Sequence, residues 1–162
     1  MSKRRPELDL RQFLPYRLYR LGERLSEALA KVYSGRYGLS VPEWRTLAWL
    51  SHLQPQTATA ISRNANVDKS TVSRALQRLA ERGLISRAPS PEDNRVQLLA
   101  LTEAGEELLR ELLPLARAWE AELIDTLTAR ELRDLWLLID RLERRLEEME
   151  SGGGVIPPPS DQ

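Results

Sequence analysis

The chain has 162 residues, with 24 Lys/Arg balanced by 24 Asp/Glu, 41% hydrophobic residues, one histidine and no cysteine. Its length suits a single core; the lack of thiols excludes a disulfide scaffold and a thiolate metal site, and a lone imidazole argues against a histidine-based metal centre. No apolar run is long enough to span a membrane and no signal peptide is recognisable, so the chain is expected in the cytoplasm and off the membrane.

Residues 1–7 are basic and expected to be a flexible N-terminus, followed by one domain over residues 8–150. Leu14, Leu18, Leu21, Leu25, Ala28 and Val32 alternate by four and three residues, which predicts an amphipathic helix over about 10–34. His52 is read as a surface residue at a helix end. Thr57 to Ala65 reads as a short helix capped by Thr57, and Asn66-Val67 as a tight turn in which Asn66 tolerates the left-handed conformation. Asp68 then caps a helix over Lys69 to Arg82 that Gly83 ends, so a helix-turn-helix occupies about 57–82.

Leu84 to Ala88 and Val96 to Leu101 read as two strands joined by turn residues Pro89 to Asn94, a wing over about 84–101. Thr102 caps the next helix, which passes Leu108, Leu112 and Leu115 toward Leu127, with Pro114 expected to kink it or shift its register. Thr128 to Glu131 is a capping box opening a last helix with Leu132, Leu135, Ile139, Leu142, Leu146 and Met149 on one stripe. Residues 151–162 are Gly- and Pro-rich and expected to be a disordered tail. The predicted class is mainly α with a small β-wing, a winged helix-turn-helix whose N- and C-terminal helices, about 10–34 and 103–149, form a dimerisation hub.

In the second helix of the helix-turn-helix, Val72, Leu76, Leu79 and Ala80 define a buried stripe. Ser70, Ser73, Arg74 and Gln77 lie opposite it, flanked by Lys69, Thr71 and Arg78. Short hydroxyls permit close approach to a groove, Arg pairs in a bidentate manner with guanine, Gln with adenine, and Lys or Arg neutralises phosphate. At the wing tip Arg95 suits a minor groove, and Asp93 is placed to hold its guanidinium by a forked ion pair.

The neutral total conceals an uneven distribution. Residues 57–97 carry seven Lys/Arg against four Asp/Glu, and residues 103–150 seven against fourteen, so the basic excess falls on the side proposed to meet DNA. Leu14, Leu18, Leu21, Leu135, Ile139, Leu142 and Leu146 are the candidate dimerisation residues, since so many leucines outside a small winged module need a partner surface. A two-fold dimer presents its recognition helices about 34–36 Å apart, which calls for an inverted-repeat DNA site. No nucleophile–base arrangement, phosphate loop, metal-ligand cluster or cofactor motif occurs, so neither an enzyme nor a cofactor is expected.

Four segments, SVPEWRTLAWL (Ser40 to Leu50), DKSTVSRALQRLAERGLI (Asp68 to Ile85), PEDNR (Pro91 to Arg95) and LTEAG (Leu101 to Gly105), together resemble the MarR (multiple antibiotic resistance regulator) winged-helix transcription factors. The resemblance implies a homodimer that binds a double-stranded, pseudo-palindromic operator, usually as a repressor, and releases it when a small anionic or aromatic ligand binds. It places Ser70, Thr71, Ser73, Arg74 and Gln77 in or beside the major groove and Arg95 in the minor groove beside Asp93. Arg63-Asn64 departs from the acidic or small pair common in relatives, and the absence of cysteine excludes the cysteine-oxidation sensing of the peroxide-responsive branch.

For the effector, the resemblance points to Tyr16, Tyr19, Arg20, Trp44, Arg45 and Trp119, where rings would stack on an aromatic acid and an arginine would pair with its carboxylate. The segment from Leu14 to Trp44 also resembles, more loosely, regulators responsive to hydroxycinnamates. The alternative reading is a ligand-independent or architectural winged-helix DNA-binding protein.

Overall fold

The computed structural model describes residues 8–152, so the expectations for the N-terminus and for the tail beyond Gly152 lie outside the described residues. In chain order the elements are α1 (Leu14–Tyr37), α2 (Val41–His52), β1 (Gln56–Thr57), α3 (Ala58–Asn64), α4 (Lys69–Glu81), β2 (Ile85–Pro89), β3 (Gln97–Leu101), α5 (Glu103–Ile124) and α6 (Ala129–Ser151). Ser151, expected in the tail, is thus the last residue of α6. The chain falls into two compact units divided between Trp119 and Glu120. The fold is the mainly helical, small-sheet class that the periodicity predicts.

Local chemistry explains most boundaries. α1 ends where Gly38 turns left-handed, at φ 61°. Ser40 caps α2 through a capping box with Glu43, whose carboxylate accepts the Ser40 N–H at 2.7 Å while only 3% of the residue is exposed. Thr57 caps α3, accepting the Ala60 N–H at 3.1 Å. Asn66 takes φ 49° in the turn before α4, as its side chain permits. Arg45 Nη1 reaches the Ala65 carbonyl at 3.4 Å and steadies that turn from α2. Thr128 and Glu131 form the second capping box, opening α6.

The core of the first unit joins Leu47 and Leu50 of α2, Ile61 of α3, Leu76 and Leu79 of α4, Leu99 of β3 and Leu112 of α5. Each such fully buried side chain contributes roughly 2 kcal/mol relative to exposure. The buried stripe of α4 consists of Val72, Ala75, Leu76 and Leu79. Ala80, assigned to that stripe from its spacing, is only half-buried, because Ala75 lies nearer the centre of the buried face.

The sheet is antiparallel with order β1-β3-β2, and Ile85 to Pro89 pairs with Leu101 to Gln97. β2 begins one residue later than predicted: Leu84 still closes the turn that follows α4, its N–H bonded to the Leu79 carbonyl at 2.9 Å. β1, two residues long, was not predicted. Its Gln56 side chain is buried and donates to the Trp49 and Leu53 carbonyls at 3.1 and 2.5 Å, closing the end of α2 against the sheet. α5 runs through Pro114 uninterrupted and ends at Ile124, short of Leu127.

α6 forms the second unit's long helix, and none of its residues is buried. No helix among the described residues is long and apolar enough to cross a membrane, and no group of three or more His, Cys, Asp or Glu among them could hold a metal ion.

Candidate nucleic-acid interface

α4 is amphipathic by construction. Its apolar stripe is occupied by the core, so Lys69, Ser70, Ser73, Arg74, Gln77 and Arg78 are all exposed and Thr71 is half-buried at the flank. The N-terminal turn is built around Asp68, whose Oδ1 accepts the Thr71 N–H at 2.9 Å and the Ser70 hydroxyl at 2.6 Å. These bonds, the Ser70 hydroxyl first and Thr71 next, hold the Asp68 carboxyl well below its ordinary value of 3.8. Arg74 Nη2 donates to Thr71 Oγ1 at 3.2 Å, and Gln77 Nε2 to Glu81 Oε1 at 3.0 Å. Ser70, Arg74 and Gln77 are steadied by hydrogen bonds to neighbours on the same helix or at its cap, whereas Ser73 has no side-chain partner among the described residues.

The depressed value gives a signed prediction for the cap. A carboxylate whose folded pKa lies below its unfolded one stabilises above the unfolded value and loses that contribution as pH falls through the folded value. In urea unfolding, Asp68→Ala is therefore less stable than the parent by the same margin from about pH 7 down to about pH 4.5, with the margin narrowing only below 3.8. A margin already gone near pH 5 would contradict the assigned hydrogen bonds.

In the wing, the Ser90 N–H bonds to the Val96 carbonyl at 2.8 Å and the Val96 N–H to the Asp93 carbonyl at 2.9 Å, closing the tip. Asp93 and Arg95 are both exposed there. The forked ion pair expected between them is not formed: Asp93 Oδ1 accepts the backbone N–H of Arg95 at 2.9 Å. A short carboxylate two residues before a free N–H closes such a turn on the backbone, and the longer arginine side chain is left out. Among the described residues the Arg95 guanidinium makes no ion pair.

The candidate effector residues separate into groups. Tyr16 and Arg20 line a groove on the N-terminal half of α1 with Arg17 and Arg24, and the Arg20 guanidinium lies 5.9 Å from the Tyr16 ring centre. Tyr19 is exposed and its hydroxyl donates to Glu23 at 2.6 Å. Trp44 stacks on Tyr33, ring centres 5.3 Å apart, while Arg45 is engaged with the Ala65 carbonyl. Trp119 is half-buried on α5. Tyr16 and Tyr33 are seventeen residues apart on α1, about 25 Å at the helical rise per residue. One small molecule within a single chain therefore cannot touch both Tyr16 and the Trp44 stack, so the six residues do not form one pocket in the monomer.

Tyr33 escaped the sequence reading because it sits one position beyond the leucine stripe, yet it is 1% exposed and burial pushes its hydroxyl pKa up, with Arg45 opposing. Arg82 was likewise missed; it reaches the Tyr37 and Gly38 carbonyls at the end of α1. Of the candidate dimerisation residues, Leu14, Leu18, Leu21, Leu135, Leu142 and Leu146 are exposed and Ile139 is half-buried. Trp136, 52% exposed on α6, was not singled out, although its size made it the strongest apolar signal there.

Residues 39–96, from the end of α1 through the wing tip, match the family model described as MarR family. Among solved structures, a MarR/EmrR family transcriptional regulator from Acinetobacter sp. ADP1 is 25% identical with a TM-score of 0.79, covering 88% of this chain and 100% of that one. A MarR family transcriptional regulator from Silicibacter pomeroyi is 28% identical with a TM-score of 0.73, covering 85% and 94%. The PcaV transcriptional regulator from Streptomyces coelicolor, in complex with its natural ligand, shares the fold at 23% identity and a TM-score of 0.68, covering 86% and 98%.

Proposed function

We infer from the MarR family domain that this chain carries at residues 39–96 that the protein is a homodimeric transcriptional regulator. In this reading it represses from an inverted-repeat operator and is released by a small aromatic or anionic ligand. The observation that carries the DNA-binding part is the exposed, polar and basic face of α4, with Ser73, Arg74 and Gln77 opposite a fully packed stripe, beside a wing whose Arg95 guanidinium is unpaired among the described residues. Arg74 and Gln77 suit base edges in the major groove, Lys69 and Arg78 suit phosphates, and Arg95 suits a narrow minor groove.

Dimerisation is supported by the leucines exposed along α1 and by α6, an amphipathic helix that buries none of its residues in the single chain. The ligand-gated part is supported by the groove on α1 where Tyr16 lies with Arg17, Arg20 and Arg24, chemistry that suits an aromatic acid. A ligand there releases DNA only by as much as it prefers the geometry that does not bind. One observation favours the ligand-independent reading: Arg45 already serves a backbone carbonyl, and the candidate effector residues are dispersed.

Fluorescence anisotropy of the purified protein on its own upstream intergenic DNA, at two salt concentrations and with a panel of aromatic acids, separates these readings. Salt-sensitive, sequence-specific binding abolished by one compound is the expected result. Binding indifferent to the whole panel would favour the ligand-independent protein, and failure to prefer any sequence over unrelated duplex would overturn the DNA-reading assignment.

A further inference from the structure

We propose that Arg82 is a positioning residue for sequence-specific DNA binding, setting the angle of α4 against the C-terminal end of α1; this rests on the reading of α4 as the DNA-reading helix. The last carbonyls of any helix lack partners within it. At the end of α1 the Gly38 N–H bonds to the Ser34 carbonyl and the Leu39 N–H to the Tyr33 carbonyl, at 3.1 and 3.3 Å. The Tyr37 and Gly38 carbonyls are met instead by Arg82, whose Nη2 donates to Tyr37 at 2.8 Å and whose Nη1 donates to Gly38 at 3.3 Å. A planar fork on two successive carbonyls constrains orientation as well as distance, and it places a cation at the negative end of the α1 dipole.

Arg82 is the first residue beyond α4, so the attachment holds that helix by its C-terminus. The next two residues tie the same end to the start of α5: Thr102 donates its hydroxyl to the Gly83 carbonyl at 2.5 Å and its N–H to the Leu84 carbonyl at 3.1 Å. The opposite end carries Lys69, Ser70, Ser73 and Arg74, all exposed. Thirteen residues make α4 about 20 Å long. A swing of about 10° at the held end displaces the far end by about 3.5 Å, close to the spacing of successive bases along a strand.

Arg82→Ala and Arg82→Lys, compared with the parent on three duplexes, test the proposal. These are the sequence that the parent selects from a random pool, the same sequence with one base pair inserted at its centre, and an unrelated duplex. Each is titrated across a salt series, and thermal unfolding is recorded beside it. The alanine variant is expected to bind the selected duplex about tenfold more weakly, as loss of a charge-assisted hydrogen bond implies. It is also expected to lose most of the parent's discrimination against the inserted base pair, with unchanged binding to the unrelated duplex and an unchanged salt slope. Lysine restores the discrimination only in part, having no fork.

An alanine variant that binds the selected duplex as the parent does, or loses affinity equally for all three, would overturn the proposal. So would a salt slope reduced by about one, which makes Arg82 a phosphate contact. If the alanine variant does not fold, the lysine variant decides: a folded protein with weakened discrimination supports the proposal and full discrimination overturns it. A parent protein that selects no sequence at all would overturn the DNA-reading assignment itself.

Discussion

Replacing Gly105 by alanine lowers the unfolding free energy by about 3 kcal/mol and the melting temperature by roughly 10 °C. Gly105 is buried in the first turn of α5, and a Cβ there would meet the Leu84 carbonyl oxygen far inside van der Waals contact, with the carbonyl carbon at 3.1 Å. The obstacle is backbone, which cannot rotate away as the end of a side chain can. Moving it also strains the Thr102 N–H bond to the same Leu84 oxygen. The better helix propensity of alanine, worth about 1 kcal/mol, offsets only part of this.

Gly35 of α1 provides the control, since a Cβ there meets nothing within 4 Å and its φ is not in the left-handed region. Gly35→Ala is expected to be neutral or to stabilise by up to about 1 kcal/mol. Urea unfolding of the two variants side by side checks both, and equal effects would reject close backbone approach as the reason for Gly105.

The largest effect on binding is expected at Arg74. On the proposed DNA-reading face, Arg74→Ala weakens binding to the selected duplex by about tenfold to a hundredfold and relaxes preference at one base position, as loss of a bidentate base contact does. The Arg74 guanidinium is partly held by Thr71 Oγ1, which reduces the side-chain freedom to be lost on binding. Arg95→Ala at the wing tip is expected to weaken the same duplex and to reduce the salt slope by about one, because a minor-groove arginine is attracted chiefly by the negative potential there. Competition anisotropy on single-base variants measures the first effect and a salt titration the second. A uniform loss across all base variants on Arg74→Ala would demote it to a backbone contact.

Much of this architecture could be read from residue order. The caps at Thr57, Asp68, Thr102 and Thr128, the left-handed Asn66 and Gly83, and the two long leucine stripes each arise from groups within one or two helical turns of each other. The same locality made the exposed face of α4 legible, since burying Val72, Leu76 and Leu79 forces Ser73, Arg74 and Gln77 outward.

Where the sequence reading departed from the structure, a second, distant or competing partner was involved. Asp93 had two donors available on Arg95, and the closing of the wing turn favoured the backbone N–H over the guanidinium. The six effector candidates were gathered by resemblance, but the length of α1 separates them. β1 is too short to show a period and exists because the Gln56 amide finds the Trp49 and Leu53 carbonyls.

The sequence alone thus determined the helix-turn-helix and wing, the long helices at either end, and the polar face proposed to meet DNA, because capping, turn conformation and hydrophobic period are properties of neighbouring residues. Tertiary structure alone decided that Ala75 rather than Ala80 enters the core, that α5 needs a glycine against Leu84, and that Arg82 grips the end of α1 from 44 and 45 residues away. Those outcomes depend on which backbone groups are left without a partner, and which surfaces lie too close for a side chain, once remote segments have packed.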